Sequence, residues 1–239
     1  MPIDPAPSAA TPFVPLSKLP NFDPRAVPVA GVDSHLPAVP AAVLTPPALR
    51  RRFTAPPAWR PEVEVERRFA DRQPAEASVL VPIVLREQPT VLLTERTTHL
   101  STHSGQVAFP GGKRDDTDRD AAHTALREAQ EEIGLAQEQV EVIGQLPTYT
   151  TGTMFIVTPV VALVDPGHRL TLNADEVADA FEVPLAFLMD PANHRRHVFE
   201  ANGLRREWFS MPYPDGGTER FIWGATAAML RNFYRLLAA

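Results

Sequence analysis

The run Ala121–Gly134, AAHTALREAQEEIG, restricts what this chain can become more than any other stretch. Its periodicity predicts a helix over residues 120–133. A helix turns about 100° per residue, so Glu128, Glu131 and Glu132 share an arc of about 100°. Ala122, Ala125, Leu126, Ala129 and Ile133 occupy another arc, roughly 120° away, which gives the helix one buried face. Three carboxylates crowded on the opposite side repel one another. A hard divalent cation coordinated by their oxygens would relieve that crowding. Glutamate-rich helices are commonly just solvated faces, so the flanks decide between the two readings. Gly111-Gly112 lies upstream, and an acidic turn containing Asp115, Asp116, Asp118 and Asp120 leads into the helix. Gly134 ends it as a C-terminal stop.

Composition narrows the classes of function. With 239 residues the chain can bury a full core, most simply as one domain with an appendage. Its net charge is −6 and no basic run is longer than Arg50-Arg51-Arg52, which argues against a general nucleic-acid surface. The absence of cysteine excludes disulfides, thiolate metal sites and cysteine catalysis. No apolar run reaches the ~18 residues a bilayer span needs. The N-terminal MPIDPAPSAATPF lacks the basic and apolar regions of a secretory signal. The expectation is a soluble cytoplasmic protein with no membrane partner.

Fifteen of the 26 prolines fall in residues 1–61. Proline fixes φ and removes a backbone donor, so residues 1–44 are expected to form an extended, proline-rich arm of turns rather than a packed sheet. Phe13, Val14, Leu16, Leu19 and Phe22 could pin it to the globule or to a second subunit. The remaining domain, residues 45–239, reads as α/β. Residues 46–53 suggest a short helix with proline at its start, and its arginines read as a solvated face. Residues 79–85 and 90–94 form a hairpin candidate. Residues 140–146 and 156–164 are further strands, the second apolar throughout and therefore central. A short helix is expected over 176–181, before extended residues 182–185. A strand pair follows at 197–200 and 207–211, turning at Asn202-Gly203. A closing helix at 226–237 carries Met229, Phe233, Leu236 and Leu237 on one face.

Residues 111–135 resemble the Nudix box: a glycine, a carboxylate, then Arg-Glu-x-x-Glu-Glu-x-Gly with apolar residues around the last glycine. Arg127, Glu128, Glu131, Glu132 and Gly134 match it. Asp118 stands where the box usually has glutamate, and one extra residue separates it from Arg127. The resemblance implies an α/β/α sandwich with a mixed sheet and a Mg²⁺- or Mn²⁺-dependent hydrolase of diphosphates. It makes Glu128 and Glu132 metal ligands, with Glu131 a third ligand or the general base. Arg127 would orient a carboxylate, and the Gly112 carbonyl is a further possible ligand.

The preceding residues 92–112, LLTERTTHLSTHSGQVAFPGG, resemble the signature of the coenzyme A pyrophosphatase branch of that family. Leu92-Leu93-Thr94, Arg96 and all of Gly105–Gly112 match, whereas Thr97 replaces a serine or alanine and Ser101 an arginine. The likeness continues in Thr158–Val161, Asp175–Val177, Glu182–Leu185 and Phe221–Ala227, and so covers about residues 45–239. It implies cleavage of coenzyme A or its acyl derivatives to 4′-phosphopantetheine and adenosine 3′,5′-bisphosphate. Candidate substrate contacts are Arg96, Gly105, Gln106, Phe109, Gly111 and Gly112. Phe109 could equally be core, Trp223 reads as core, and His99 and His103 read as loop residues rather than a metal pair. Two alternatives stand beside this one. The first is a Nudix enzyme for NADH, ADP-ribose or nucleoside triphosphates. The second is a Nudix-fold binding module without catalysis.

Overall fold

The computed structural model describes residues 22–63, 74–97, 105–151, 155–201 and 204–239. In chain order the elements begin with β1 (Val29–Val32), α1 (Pro46–Thr54), β2 (Ala75–Val84), β3 (Thr90–Arg96), β4 (Val107–Ala108) and β5 (Gly111–Lys113). Then come α2 (Ala121–Ile133), β6 (Val140–Gln145), β7 (Tyr149–Thr150), β8 (Phe155–Val164) and β9 (Val177–Pro184). The short turn α3 (Leu185–Leu188), β10 (Arg195–Ala201), β11 (Leu204–Asp215), β12 (Thr218–Trp223) and α4 (Gly224–Leu237) complete the chain.

Two apolar runs set the centre. Strands β2 and β8 lie parallel, in register from Ala75 opposite Phe155 to Val84 opposite Val164. Their side chains alternate across the sheet. Leu80, Val84, Val160, Ala162 and Val164 pack against Ala125, Ala129 and Ile133 of α2. Val81, Ile83, Val161 and Leu163 join the cluster that contains Leu49 of α1 and Phe233 of α4. Burial on both faces explains why these strands read as nearly unbroken apolar runs. The remaining strands of this sheet pair antiparallel, which makes it mixed and places helices on both sides, as expected of an α/β/α sandwich.

The expected hairpin of β2 and β3 is brief. The strands pair only at Ile83–Val91 and Val84–Thr90 and then fork. Strand β5 fills the β2 side of the fork along Ala77–Val79, and β4 fills the β3 side opposite Thr94 and Glu95. Residues 105–113 therefore enter the sheet between two central strands, directly over α2.

The helix expected over 176–181 is instead a turn ending at Glu176 followed by the start of β9, which pairs with β3 from Thr90–Pro184 to Arg96–Val177. The open edge of β3 supplies a ladder, and the segment sends Phe181 and Val183 to one core and Val177 and Ala180 to the other. Pairing and two-sided burial outweigh local propensity here.

The expected late strand pair is present as β10 and β11, within a second antiparallel sheet of order β1-β10-β11-β12. Phe209, Met211 and Ile222 of this sheet share the α1 and α4 cluster. Helix α4 is consequently buried around almost its whole circumference, including Leu230, Arg231 and Tyr234 beyond the stripe expected from sequence.

A buried arginine must find partners. Arg231 is 1% exposed, and its Nη2 and Nε lie 2.9 and 2.8 Å from Asp33 and Glu62. Arg196 holds the same two acids, at 2.8 Å each. These contacts clasp the N-terminal segment to α4. Residues 1–21 of the expected arm lie outside the described residues. Residues 22–44 are part of the fold: β1 pairs with β10, and Val39 and Leu44 are buried. The expectation of turns without sheet is corrected at Val29–Val32, where no proline interrupts the run to Leu36 and an edge of β10 is available.

Candidate functional site

Helix α2 is framed by two local signals. Asp120 accepts the backbone N–H of His123 at its N-terminus. At its C-terminus Gly134 adopts a left-handed φ of 67° and returns its N–H to Gln130, 3.0 Å away. Against its middle lies the turn into β5. A Cβ on Gly112 would fall 2.5 Å from the carboxyl carbon of Glu128, so a larger residue here would push that carboxylate out of its place beside the turn. Beside it the Gly111 N–H donates to Glu132 Oε2 at 3.1 Å.

Arg127 organises the acids around it. Its Nε and Nη2 meet both oxygens of Asp118 at 3.0 and 2.9 Å, a bidentate pair. Nη2 also donates to the Lys113 carbonyl at 3.2 Å and lies 3.0 Å from Glu128 Oε1. Nη1 reaches Glu131 Oε2 at 2.9 Å. The Asp118 side chain has no exposed surface, and the Arg127 guanidinium holds its carboxyl well below the usual range. The departure from the box at Asp118 is therefore a shorter side chain doing an arginine-anchoring task.

The three glutamates differ. Glu131 is exposed, with 57% of its side chain in solvent. Glu128 is half-buried, and burial raises its carboxyl. Glu132 is 4% exposed, and burial pushes its carboxyl up to about 7 against the opposing pull of the Gly111 N–H and Arg96. Arg96 Nη1 stands 3.5 Å from Glu132 Oε1, and Arg96 Nε is buried with no hydrogen-bond partner among the described residues.

The donor set fits a hard cation. Glu128 and Glu132 present carboxylate oxygens from one helix row, sheltered from water and bordered by the Gly111-Gly112 backbone. Among the described residues, however, no three acids or histidines converge into a ready-built metal site. Arg127 and Arg96 lie against the glutamate oxygens instead.

Sequence reasoning missed Glu176. Its charge adds to the raised proton affinity of both Glu128 and Glu132. The loop before it is tied to the end of α2 through Thr171 N–H to the Ile133 carbonyl and Asn173 N–H to the Glu132 carbonyl, each 2.9 Å. The Thr97 N–H reaches the Glu176 carbonyl at 3.0 Å, joining it to the end of β3. The expected helix over 176–181 would have hidden this placement, and only the Asp175-Glu176-Val177 likeness pointed towards it.

The other expected substrate contacts divide. The Gly105 N–H and Gln106 carbonyl bracket the backbone of Arg96, at 3.2 and 3.0 Å, and so set its position at the fork. Phe109 is 3% exposed and belongs to the core. Trp223 packs with Phe22 and Trp208, away from solvent on one side. His99, Ser101 and His103 lie outside the described residues.

The family model of the NUDIX domain matches residues 74–202, which include α2 and the whole fork. The chain belongs to the Nudix hydrolase family. The uncharacterized Nudix hydrolase NudL of Escherichia coli K12 is 43% identical over 158 residues, 66% of this chain and 80% of that one. NudL of Pectobacterium atrosepticum is 41% identical over 183 residues, 77% and 88% of the two chains. Among solved structures, a MutT/nudix family protein from Enterococcus faecalis is 15% identical with a TM-score of 0.41, covering 81% of this chain and 74% of that one. A C. elegans Ap4A hydrolase is 19% identical with a TM-score of 0.41, covering 49% and 85%. As a Nudix hydrolase, a family that generally uses divalent cations, the chain is a pyrophosphohydrolase with a mixed α/β fold.

Proposed function

We propose that this Nudix hydrolase cleaves the diphosphate of coenzyme A or its derivatives, giving 4′-phosphopantetheine, or its acyl form, and adenosine 3′,5′-bisphosphate. The observation that carries the reading is the pairing of opposites at the fork. Glu128 and Glu132 are acids whose proton affinity burial raises, and Arg96 carries a buried donor without an acceptor among the described residues. The acids suit a cation and the guanidinium suits a phosphate. The signature Leu92-Leu93-Thr94, Arg96 and Gly105–Gly112 lies at this same fork and supports the coenzyme A class.

Glu128 and Glu132 would hold Mg²⁺ or Mn²⁺, with Glu131 or Glu176 completing the carboxylate set. A bound cation supplies neutralisation of phosphate oxygens and a more acidic water. Arg127 keeps the Glu128 and Glu131 carboxylates oriented through its anchor on Asp118. Glu131, exposed beside the row, is the general base of this reading. Gly111 and Gly112 bring backbone near the diphosphate, Gln106 and Gly105 fix the Arg96 position, and Phe109 supports the turn from the core side.

Incubation of coenzyme A with the protein and Mg²⁺ or Mn²⁺ in ¹⁸O-water, with products separated and weighed, tests this directly. The two named products are expected, with one ¹⁸O in one of them. Intact coenzyme A under both metals would overturn the substrate assignment.

A further inference from the structure

The two arginines that touch the glutamates are held in opposite ways. Arg127 is fixed by a bidentate grip on a buried acid and by a backbone carbonyl. Arg96 has one longer contact, 3.5 Å to Glu132 Oε1, and a buried Nε with nothing to donate to among the described residues. Its backbone is nevertheless secured on both sides, N–H to the Gln106 carbonyl and carbonyl to the Gly105 N–H. The guanidinium is thus a loosely seated head on a firmly held strand end.

Glu132 has its own division of labour. Oε2 accepts the Gly111 N–H, which leaves Oε1 as the oxygen facing Arg96. A divalent cation taking that oxygen would place two positive groups on one carboxylate, and the weaker tether would yield. The released guanidinium has five N–H donors and would find acceptors in the phosphate oxygens of a diphosphate beside the cation.

We infer that Arg96 and the cation compete for Glu132 Oε1, so that cation binding frees Arg96 to grip the diphosphate. Arg96 then couples the two binding steps, and the inference rests on the placement of the cation at Glu128 and Glu132. Coupling between ligands is reciprocal. The diphosphate, by drawing Arg96 away, should tighten cation binding in the same proportion.

The test reads binding rather than turnover. Mn²⁺ affinity of the full chain is measured by electron paramagnetic resonance without any nucleotide, for wild type, Arg96→Met, Arg96→Lys and Glu132→Gln. Affinity for α,β-methylene-ADP is then measured by calorimetry at saturating Mg²⁺. Arg96→Met should bind Mn²⁺ about fivefold more tightly or better, the low end of ordinary coupling, and the nucleotide roughly tenfold more weakly. Arg96→Lys keeps a competing charge without the planar fork. It should hold Mn²⁺ within about twofold of wild type yet lose nucleotide affinity. Arg96→Gln, polar but uncharged, takes the place of Arg96→Met if that variant fails to fold, with the same gain in Mn²⁺ affinity expected. Unchanged or weaker Mn²⁺ binding in Arg96→Met, with nucleotide affinity lost, would overturn the competition and leave a simple phosphate-binding arginine. Wild-type Mn²⁺ affinity in Glu132→Gln would instead remove the cation from Glu132, and with it the reading on which the inference rests.

Discussion

Arg127 and Asp118 form a two-bond pair, at 3.0 and 2.9 Å, between the middle of α2 and the acidic turn before it. Asp118 is fully enclosed, so removing its charge leaves the guanidinium with an uncharged partner in a sheltered place. Asp118→Asn should cost about 2 kcal/mol, within the range for hydrogen bonds to charged groups. It should also lower turnover, since the arginine that orients the Glu128 and Glu131 carboxylates is less firmly anchored. Urea midpoints and kcat measured together check this, and a variant unchanged in both would deny Asp118 its anchoring task.

Glu128→Gln and Glu132→Gln should each lower kcat by ~10²-fold or more, because each takes charge from the cation site. Neither should reduce the stability of the metal-free protein. Glu132 is a buried acid among other acids, and an amide there relieves repulsion while keeping an oxygen for the Gly111 N–H. Near-normal kcat at saturating Mg²⁺ in either variant would reject it as a ligand.

Glu131 is the base of this reading, and Glu176 is a further carboxylate of the cation set. Glu131→Gln is expected to lower kcat by ~10²-fold with little change in KM. Glu176→Gln should have the smaller effect on kcat and a larger effect on the Mg²⁺ concentration required. The opposite ranking would move the base to the loop.

Asp33→Ala should destabilise the protein by about 3 kcal/mol, since it leaves Arg231 buried without one of its two acids. By the same reasoning, deletion of residues 1–40 should damage the fold, whereas deletion of residues 1–21 alone keeps the clasp. Thermal unfolding of both truncations provides the comparison. A cooperative, wild-type-like transition without residues 22–40 would show the clasp to be dispensable.

His194 gives a pH dependence with a defined sign. Its ring is wholly buried, with Nε2 2.8 Å from the Leu188 carbonyl and Nδ1 3.0 Å from Arg231 Nη1. Burial pushes its pKa down to about 4. The unfolded chain takes up this proton near pH 6.5 and the folded chain does not, so stability falls as pH drops from about 6.5 towards 4. A shift of about 2.5 pKa units at 1.36 kcal/mol each puts the loss at roughly 3 kcal/mol. His194→Gln can keep both hydrogen bonds without titrating. Its urea midpoint should fall less than that of wild type between pH 7 and pH 4.5, and parallel profiles would rule out His194 as the source.

The sequence made the centre of this fold legible because burial wrote itself into residue choice. Leu80–Val84 and Val160–Val164 are apolar on both faces, Gly134 marks the end of α2, and Arg127, Glu128, Glu131 and Glu132 keep a fixed helical spacing. Glu176 was hidden because its position depends on which edge its strand pairs with, and residues 176–181 alone favour a helix. The clasp of Asp33, Glu62, Arg196 and Arg231 was equally invisible. Its partners are up to 198 positions apart (231 − 33), and a proline-rich sequence gives no period to connect them. From sequence the fork between β2 and β3 is indistinguishable from a plain hairpin, since nothing within those two runs states where their pairing stops.

The most direct test compares kcat/KM for coenzyme A, dephospho-coenzyme A, NADH and ADP-ribose with Mg²⁺ and with Mn²⁺. Coenzyme A should be the best of the four, with dephospho-coenzyme A behind it and both favoured over NADH and ADP-ribose. A preference of about tenfold or more for NADH or ADP-ribose, more than 1.4 kcal/mol of transition-state binding, would contradict the coenzyme A assignment.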